Sequence, residues 1–360
     1  MADPMRTAAL FLDAERLSAL VGTEVVAKRL RHKPGLSTVA ALHTPDGVHG
    51  WAQVASRAHD PRIVRAVRRA GRAGQRIRVI EHDGLTLAFG PVASDPELAA
   101  GFAELGDEQR AGSVLLRYNP HRRAVLRGTL DGAPVSIRVH GERGDAKAAQ
   151  RRARGLLADG VPTIVPLQRT RSTSTWAWEG ESDLAHPSAD GEWAARRAGE
   201  ALARLHTVGG DAREPRSTRA ALLRQAEDLA VLDEHLGRRA RRLVEEADLT
   251  ETDLVPAHGD FSADQVAIGP GGVWLLDFDR YRLAPRLKDL GGFHAVELLS
   301  GRTPLTGPLL EGYGVDPGDA LRPWVFAGLA ARLMEPLRDA DPRWRDRISD
   351  RLDQMEQWRR

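Results

Sequence analysis

The residues best suited to chemistry lie in one stretch, VPAHGDFSADQVAIGPGGVWLLDFDRYRLAPRLKDLGGF, at positions 255–293. Asp260 ends a His-Gly-Asp triplet, Gln265 follows five residues later, and the apolar run VWLL leads directly to Asp277. These spacings predict two carboxylates and one amide near a single turn between a loop and a strand. Phosphoryl transfer to a hydroxyl needs such a set, because one carboxylate accepts the hydroxyl proton while the other and an amide oxygen hold Mg²⁺ on the nucleotide phosphates.

Helical segments surround this stretch in the C-terminal half. In the segment 191–209, Ala198, Ala201, Leu202 and Leu205 recur at helical spacing, and Gly209-Gly210 is expected to end that helix. A second helical region covers 221–247. The chain closes with an apolar segment at 324–334 and a helix with an apolar face at 344–355, so the pattern predicts a bundle of helices.

The N-terminal half alternates short β-like runs with turn signals. The runs EVVAKRL, STVAALHT and VHGWAQVAS are followed by the helix-like PRIVRAVRRAG and by the runs QRIRVIE and LTLAFGP. The same order recurs from Arg117, with Asp-Gly turns at 46 and 131, and its last strands are expected in VPTIVPL and WAWEG. We infer a duplicated small lobe. Two unrelated units that share turn residues are the alternative.

Taken together, these motifs resemble the aminoglycoside phosphotransferase and sugar-kinase family, which has a protein-kinase-like fold. The family pattern is H-G-D-x-x-x-x-N, then a strand ending in I-D, then a D-L pair. The resemblance implies Asp260 as the catalytic base and Gln265 with Asp277 as metal ligands. TWAWEGESDL resembles the hinge between the lobes and assigns Glu179 to nucleotide binding. The supporting residues that the resemblance implies are His258, Asp279 and Asp289.

The predicted small lobe departs from the family pattern at its phosphate-binding positions. Arg138 stands where the family has a lysine that meets the α- and β-phosphates, and the first copy has Gln53 there. The helix AKAAQRRARGLL lacks the glutamate that pairs with that lysine, and Gln150 is the nearest candidate. No Gly-rich loop is present, and Arg122 and Arg123 in the first bend are candidate phosphate contacts.

The resemblance implies an α+β fold: a bilobal, protein-kinase-like phosphotransferase with an extra N-terminal α+β cap that looks like a duplicated small lobe. We expect the cap at residues 1–105, the kinase N-lobe at 106–180 and the helical C-lobe with the catalytic loop at 181–360. The glutamine at 265 and the N-terminal extension resemble the maltokinase and actinobacterial glucosamine kinase branch of the family.

The function that the resemblance implies is an ATP-dependent (or GTP-dependent) and Mg²⁺-dependent kinase. The acceptor is expected to be a hydroxyl of a small molecule, such as a sugar, an amino sugar or an aminoglycoside-type compound. The alternative is a catalytically impaired pseudokinase that binds a nucleotide or a partner, since Arg138 replaces the lysine and the helix acid is missing.

Composition excludes several other classes of function. A net charge of +2 and an aromatic content of 5% argue against a nucleic-acid partner, despite the arginine-rich helices. With no cysteine, the chain has no disulfide, thiolate nucleophile or cysteine-ligated metal. The absence of an 18-residue apolar window and of a secretory signal predicts a cytoplasmic protein that does not span a membrane. We expect a monomer or homodimer.

Overall fold

The computed structural model describes residues 3–56, 60–141, 145–187, 190–208 and 212–359. The chain forms two compact units. Unit one comprises Met1–Lys147, Leu167–Trp176 and Met334–Arg347. Unit two comprises Ala148–Pro166, Ala177–Leu333 and Ile348–Arg360.

The N-terminal part of unit one is a five-stranded antiparallel sheet with the strand order β1-β2-β3-β5-β4. One helix of this part begins at Pro61 and is capped by Asp60. The Asp60 carboxylate accepts a hydrogen bond from the Arg62 amide, and proline is favoured at the first helical position. The elements of this part are α1 Arg6–Leu12, α2 Ala14–Val21, β1 Val26–Lys33, β2 Ser37–Thr44, β3 Gly47–Ala55, α3 Pro61–Arg72, β4 Arg78–His82 and β5 Leu85–Gly90.

A second five-stranded sheet follows with the equivalent strand order, β6-β7-β8-β10-β9, as duplication of the small lobe predicts. The linker contains two short helices, α4 Ala99–Ala103 and α5 Asp107–Arg110. The elements of the second sheet and its helix are β6 Val114–Asn119, β7 Arg123–Leu130, β8 Ala133–His140, α6 Asp145–Ala158, β9 Pro166–Arg169 and β10 Thr173–Ala177. Helix α6 starts in unit one and continues into unit two.

The two sheets of unit one share a hydrophobic core. Trp51 on β3 is fully buried and belongs to the same cluster as Tyr118 on β6 and Ile137 on β8. A separate cluster on the other side of the first sheet includes Phe11 of α1 and Leu17 of α2. Burial of these large side chains stabilises the first sheet on both faces, at about 1.5–3 kcal/mol for each fully buried side chain.

Unit two is mainly helical, with short strands around the chemical stretch. Its helices are α7 Gly191–Leu205, α8 Thr218–Leu232, α9 Glu234–Glu246, α10 Leu287–Ser300, α11 Thr306–Tyr313 and α12 Arg322–Ala331. Its strands are β11 Ser182–Asp183, β12 Leu254–Ala257, β13 Val266–Gly269, β14 Gly272–Leu275 and β15 Arg282–Pro285. The C-terminal helices are α13 Glu335–Arg338 in unit one and α14 Trp344–Glu356, which extends from unit one into unit two.

Three expectations about local structure need correction, and a fourth concerns residues that the structure does not describe. The helical region at 221–247 is two helices, because extended Asp233 separates them and its carboxylate caps α9 by accepting from the Leu236 amide. The strand expected in VPTIVPL starts only at Pro166, since the preceding segment pairs with β14 through the Leu275 amide and the Pro162 carbonyl, at 2.8 Å. Only the first two residues of WAWEG belong to β10. Gly209-Gly210 lies outside the described residues.

A close helix contact holds the bundle together in unit two. Gly199 of α7 and Gly312 of α11 face backbone, and a Cβ on Gly312 would lie 1.9 Å from the Arg196 carbonyl oxygen. Glycine is therefore required where these helices touch. Across the described parts of the chain, every helix is too short or too polar to cross a bilayer.

Candidate active site

The His258-Gly259-Asp260 loop is held by a buried carboxylate. Asp289, in the first turn of α10, accepts from the His258 amide at 2.7 Å and from the Gly259 amide at 2.8 Å. His206 Nε2 lies 3.2 Å from the same carboxylate, and His206 Nδ1 lies 2.8 Å from the Tyr313 hydroxyl. Asp289 could be interpreted from sequence as a cap for a helix starting at Gly291. The structure shows that α10 begins at Leu287 and that Asp289 instead fixes the loop.

The charge of Asp289 is stabilised inside the protein. Burial by itself would raise the pKa of this carboxyl, but the hydrogen bond and charge of His206, with His258 and the Gly259 amide, bring the pKa below its usual value. Asp289 therefore remains an anion that can accept several hydrogen bonds at once. This interaction fixes the backbone immediately before Asp260.

Two further features set the direction of the loop. Gly259 has a φ of +82°, and a Cβ there would lie 2.6 Å from the Arg280 carbonyl oxygen, so only glycine fits. His258 Nε2 donates to the Leu276 carbonyl at 2.7 Å, which ties the loop to the end of β14. The His258 ring also packs against Phe261 and Phe278, with ring centroids 5.8 and 4.9 Å away. His258, which the sequence predicts as a supporting residue, therefore holds the loop in place through its side chain.

Asp260 carries a partly exposed carboxylate between two arginines. Its side chain is 38% exposed, Arg280 Nη1 donates to Oδ1 at 3.2 Å, and Arg332 Nη2 lies 3.7 Å from the same oxygen. Oδ1 is thus occupied by guanidinium groups, while the exposed part of the carboxylate is accessible to an incoming hydroxyl. Ion pairs this exposed contribute little to stability and can exchange.

Gln265 and Asp277 lie at the same end of the β13–β14 hairpin. Val266 pairs with Leu275, and the Leu276 amide donates to the Gln265 carbonyl at 2.8 Å, so the two residues flank the paired strands. The Gln265 side chain is buried, and its Nε2 donates to Asp264 Oδ2 at 3.0 Å. Asp277 is half-buried and has a left-handed backbone with φ +62° and ψ +55°. The hairpin therefore brings together the two predicted metal ligands.

These oxygen donors fit a hard cation such as Mg²⁺. The Gln265 amide nitrogen is used by Asp264, which orients the amide oxygen away from that carboxylate. Among the described residues, no three His, Cys, Asp or Glu side chains converge on one point. A complete protein cage is not needed, because Mg²⁺ commonly uses one or two protein oxygens together with waters and substrate phosphates.

The three predicted phosphate-binding arginines lie on the second sheet of unit one or in its first turn. Arg138 on β8 is half-buried, and its guanidinium stacks over the Trp176 ring at 4.7 Å from the centroid. Arg122 is exposed in the β6–β7 turn, where its amide donates to the Asn119 carbonyl at 3.0 Å. Arg123 is half-buried at the start of β7 and pairs with His140. The structure thus places Arg138 and Arg123 on one sheet and Arg122 in the turn before Arg123.

The remaining predicted residues, Glu179 and Asp279, are exposed in unit two. Glu179 precedes Gly180, whose φ of +91° and close approach to the Ile268 carbonyl require glycine. The Asp279 carbonyl accepts from Arg213 at 3.1 Å. The structure brings neither carboxylate into the hydrogen-bonded cluster around Asp289.

Sequence reasoning did not find the two arginines beside Asp260 or the His206–Tyr313 pair. Arg332 did leave a signal, since it is the one charged residue in the apolar segment 324–334. Arg280 follows Asp-Phe-Asp in a chain with abundant arginine, so its position carried no such signal. Tyr313 contacts the site from α11, far away in sequence.

Comparison with known proteins places this site in a family. The model of the Phosphotransferase enzyme family matches residues 123–330, more than half of the chain. No curated protein matches by sequence. The solved structure of the amicoumacin kinase hAmiN in complex with AMP-PNP, Ca²⁺ and Ami is similar with a TM-score of 0.54 and 12% identity, covering 70% of this chain and 89% of its own.

Two choline kinases give comparable matches. LicA from Streptococcus pneumoniae has a TM-score of 0.51 and 14% identity, covering 68% of this chain and 94% of its own. The enzyme from Cryptosporidium parvum Iowa II has a TM-score of 0.50 and 11% identity, covering 71% and 91%. At these identities the likeness shows the fold alone, and it confirms the predicted kinase-like fold. With the family model matched from β7 of the second sheet through the Asp260 loop to residue 330, the chain belongs to the Phosphotransferase enzyme family.

Proposed function

We propose that this protein is an ATP- and Mg²⁺-dependent kinase that phosphorylates a hydroxyl of a small molecule. The observation that carries the proposal is the partly exposed Asp260 carboxylate on a loop fixed by buried Asp289, beside a hairpin that presents Gln265 and Asp277. A rigid backbone under an accessible base is the arrangement that proton transfer requires.

Asp260 takes the role of general base. Its carboxylate accepts the acceptor's hydroxyl proton as that oxygen forms a bond to the γ-phosphorus of ATP and the bond to ADP breaks. Gln265 and Asp277 would hold Mg²⁺, which when bound neutralises phosphate charge. Arg138, stacked on Trp176, would contribute a fixed cation to the nucleotide phosphates, with Arg122 and Arg123 as further contacts and Glu179 at the hinge.

For the acceptor we propose only a chemical class: a sugar, an amino sugar or an aminoglycoside-type compound. The solved structures of similar fold are named as kinases of amicoumacin and of choline, which supports a small-molecule acceptor. The division into a cap at 1–105, an N-lobe at 106–180 and a C-lobe at 181–360 also stays a prediction, as do GTP use, the absence of a nucleic-acid partner, the maltokinase-type branch, cytoplasmic location and a monomeric or homodimeric state.

The test is nucleotide consumption by the purified protein with Mg²⁺ and a panel of sugars, amino sugars and aminoglycosides. Asp260→Asn should lower turnover by about 10²- to 10⁴-fold, the usual effect of losing a general base, while nucleotide binding persists. The matched control is Asp350→Asn, the same chemical change at an exposed position of α14, which should keep full turnover. Equal turnover in wild type and Asp260→Asn would refute the role of Asp260.

A pseudokinase is the second candidate, and two contacts favour it. Arg280 and Arg332 both approach Asp260 Oδ1, so guanidinium groups occupy one oxygen of the predicted base. In that case the protein would bind nucleotide with Mg²⁺ but consume none with any acceptor. Acceptor-dependent consumption that Asp260→Asn abolishes would exclude the pseudokinase.

A further inference from the structure

A cavity of about 410 Å³ lies in unit one, and none of the residues assigned to phosphoryl transfer is among those that line it. Its walls are the first sheet, helix α3, and the turn of the second sheet at His121 together with Gly141. The volume falls within the range of small-molecule sites, which is about 300–1,000 Å³. The cavity is therefore large enough for a ligand of metabolite size.

Positive charge dominates the walls of this cavity. Arg31 and Lys33 come from β1, and Arg62, Arg65 and Arg69 come from α3. The three α3 positions are three and four residues apart, so they share one face of the helix. Glu97 is the one acidic residue among the lining residues.

Two of the five cations have carboxylate partners, and two have none. Arg62 pairs with Asp60 at 3.0 Å, and Arg69 pairs with Glu97. Within the part of the chain that the structure describes, no acidic side chain pairs with Lys33 or Arg65. The positive side chains around this concave surface repel each other. A bound anion would attract each of them and so offset that repulsion.

Polar groups at the sheet surface complete the cavity. The Ser37 side chain on β2 and the Gln53 side chain on β3 both line it, although these residues are only 4% and 5% exposed. A hydroxyl and a side-chain amide can both donate hydrogen bonds to a ligand with several oxygens. Gln53 occupies the position in the first sheet that Arg138 occupies in the second, 85 residues later.

The remaining wall is neutral near pH 7. The His121 ring packs edge-on against Trp51, with 5.4 Å between centroids, and is 13% exposed. Burial lowers the pKa of His121 despite the opposing effect of Asp95, so the ring adds no charge. The cation excess thus comes from the permanently charged arginines and the lysine.

We propose that this cavity is a second binding site, for a small phosphorylated anion with at least two negative charges. Guanidinium groups bind phosphoryl oxygens through paired, charge-assisted hydrogen bonds, and Lys33 adds a compact charge. The cavity shape selects a small molecule over a nucleic acid, which would need an open basic surface with aromatic side chains. A nucleotide and a sugar phosphate share the required chemistry.

The test is calorimetric titration of the full-length protein with inorganic pyrophosphate in EDTA, which removes divalent cations. Lys33→Ala/Arg65→Ala should weaken binding by at least about tenfold, since a charge-assisted hydrogen bond contributes enough for such a change. The matched control is Arg68→Ala/Arg72→Ala, which removes two charges from exposed positions of the same helix outside the cavity. That control should stay within about twofold of wild type. All four side chains are exposed, and thermal melting checks that both variants fold.

Further titrations identify the source of the phosphate. ADP and glucose 6-phosphate are titrated into wild type and both variants. If either binds wild type more tightly than pyrophosphate does, and loses affinity in Lys33→Ala/Arg65→Ala but not in the control, the site is supported. Lack of pyrophosphate binding at about 10 mM, or equal weakening by the two double variants, overturns the proposal. A single-stranded oligonucleotide that binds more tightly than pyrophosphate, and loses affinity equally in both variants, would also overturn it in favour of a nucleic-acid surface.

Discussion

Asp289→Asn tests whether the buried carboxylate holds the catalytic loop. Asparagine has nearly the same shape, but one of its two terminal groups is a donor. The wild-type oxygens face the His258 amide on one side and the Gly259 amide on the other, at 2.7 and 2.8 Å. In either orientation of the asparagine amide, a donor must therefore face a backbone N–H.

The expected loss follows from these contacts. One charge-assisted hydrogen bond is lost, at about 1.5–3 kcal/mol, and a buried N–H without a partner costs about 1–3 kcal/mol more. Removing a buried charge relieves part of its desolvation cost, which offsets some of this loss. We expect the free energy of unfolding to fall by about 2–4 kcal/mol at pH 7, a large fraction of the total of about 5–15 kcal/mol for a typical protein.

The pH dependence distinguishes this explanation from simple loss of packing. The pKa of Asp289 is lower in the folded protein than its ordinary value of 3.8, so its stabilising contribution is complete above that pH. It disappears as the pH falls through the folded-state pKa. The stability difference between wild type and Asp289→Asn should therefore be constant from pH 7 to about 4 and shrink in stronger acid.

Urea unfolding of both proteins across pH 7 to 3 measures this difference, with Asp350→Asn as the control for the chemical change. The reasoning would be refuted by a difference that stays constant down to pH 3, or by a loss at pH 7 no larger than that of Asp350→Asn. Activity should fall as well, because the backbone before Asp260 loses its anchor.

Two other predictions concern packing and phosphate binding. Gly312→Ala should lower the free energy of unfolding by at least about 2 kcal/mol, because its Cβ would meet the Arg196 carbonyl. Gly155→Ala lies in open space within α6 and should raise the free energy of unfolding by about 0.5–1 kcal/mol. Thermal unfolding measures both changes, and two changes in the same direction would contradict this account. Arg138→Ala should weaken ATP binding at least about tenfold in calorimetry, whereas Arg127→Ala on the same sheet should not. Equal effects would remove Arg138 from the site.

Much of this architecture could be predicted from local patterns. Alternating apolar residues and Asp-Gly turns indicated the strands of both sheets, because strand periodicity and turn conformation depend on neighbouring residues. The order His258-Gly259-Asp260, Gln265 and Asp277 indicated a phosphotransferase, because it resembles the family pattern and because two carboxylates and an amide near one turn suit phosphoryl transfer. The family match confirms that prediction.

The tertiary structure decided the rest. Local sequence suggested that Asp289 could cap a helix, but its carboxylate binds amides 30 and 31 residues away. Arg332, the residue after α12, reaches Asp260 from a distant part of the sequence, and the cationic cavity joins residues of β1, β2, β3 and α3. A chain segment encodes its own backbone preference, whereas the partner of a charge is set by which distant segments pack beside it. For this protein the sequence by itself predicted which groups react, and the fold determined which charges surround them.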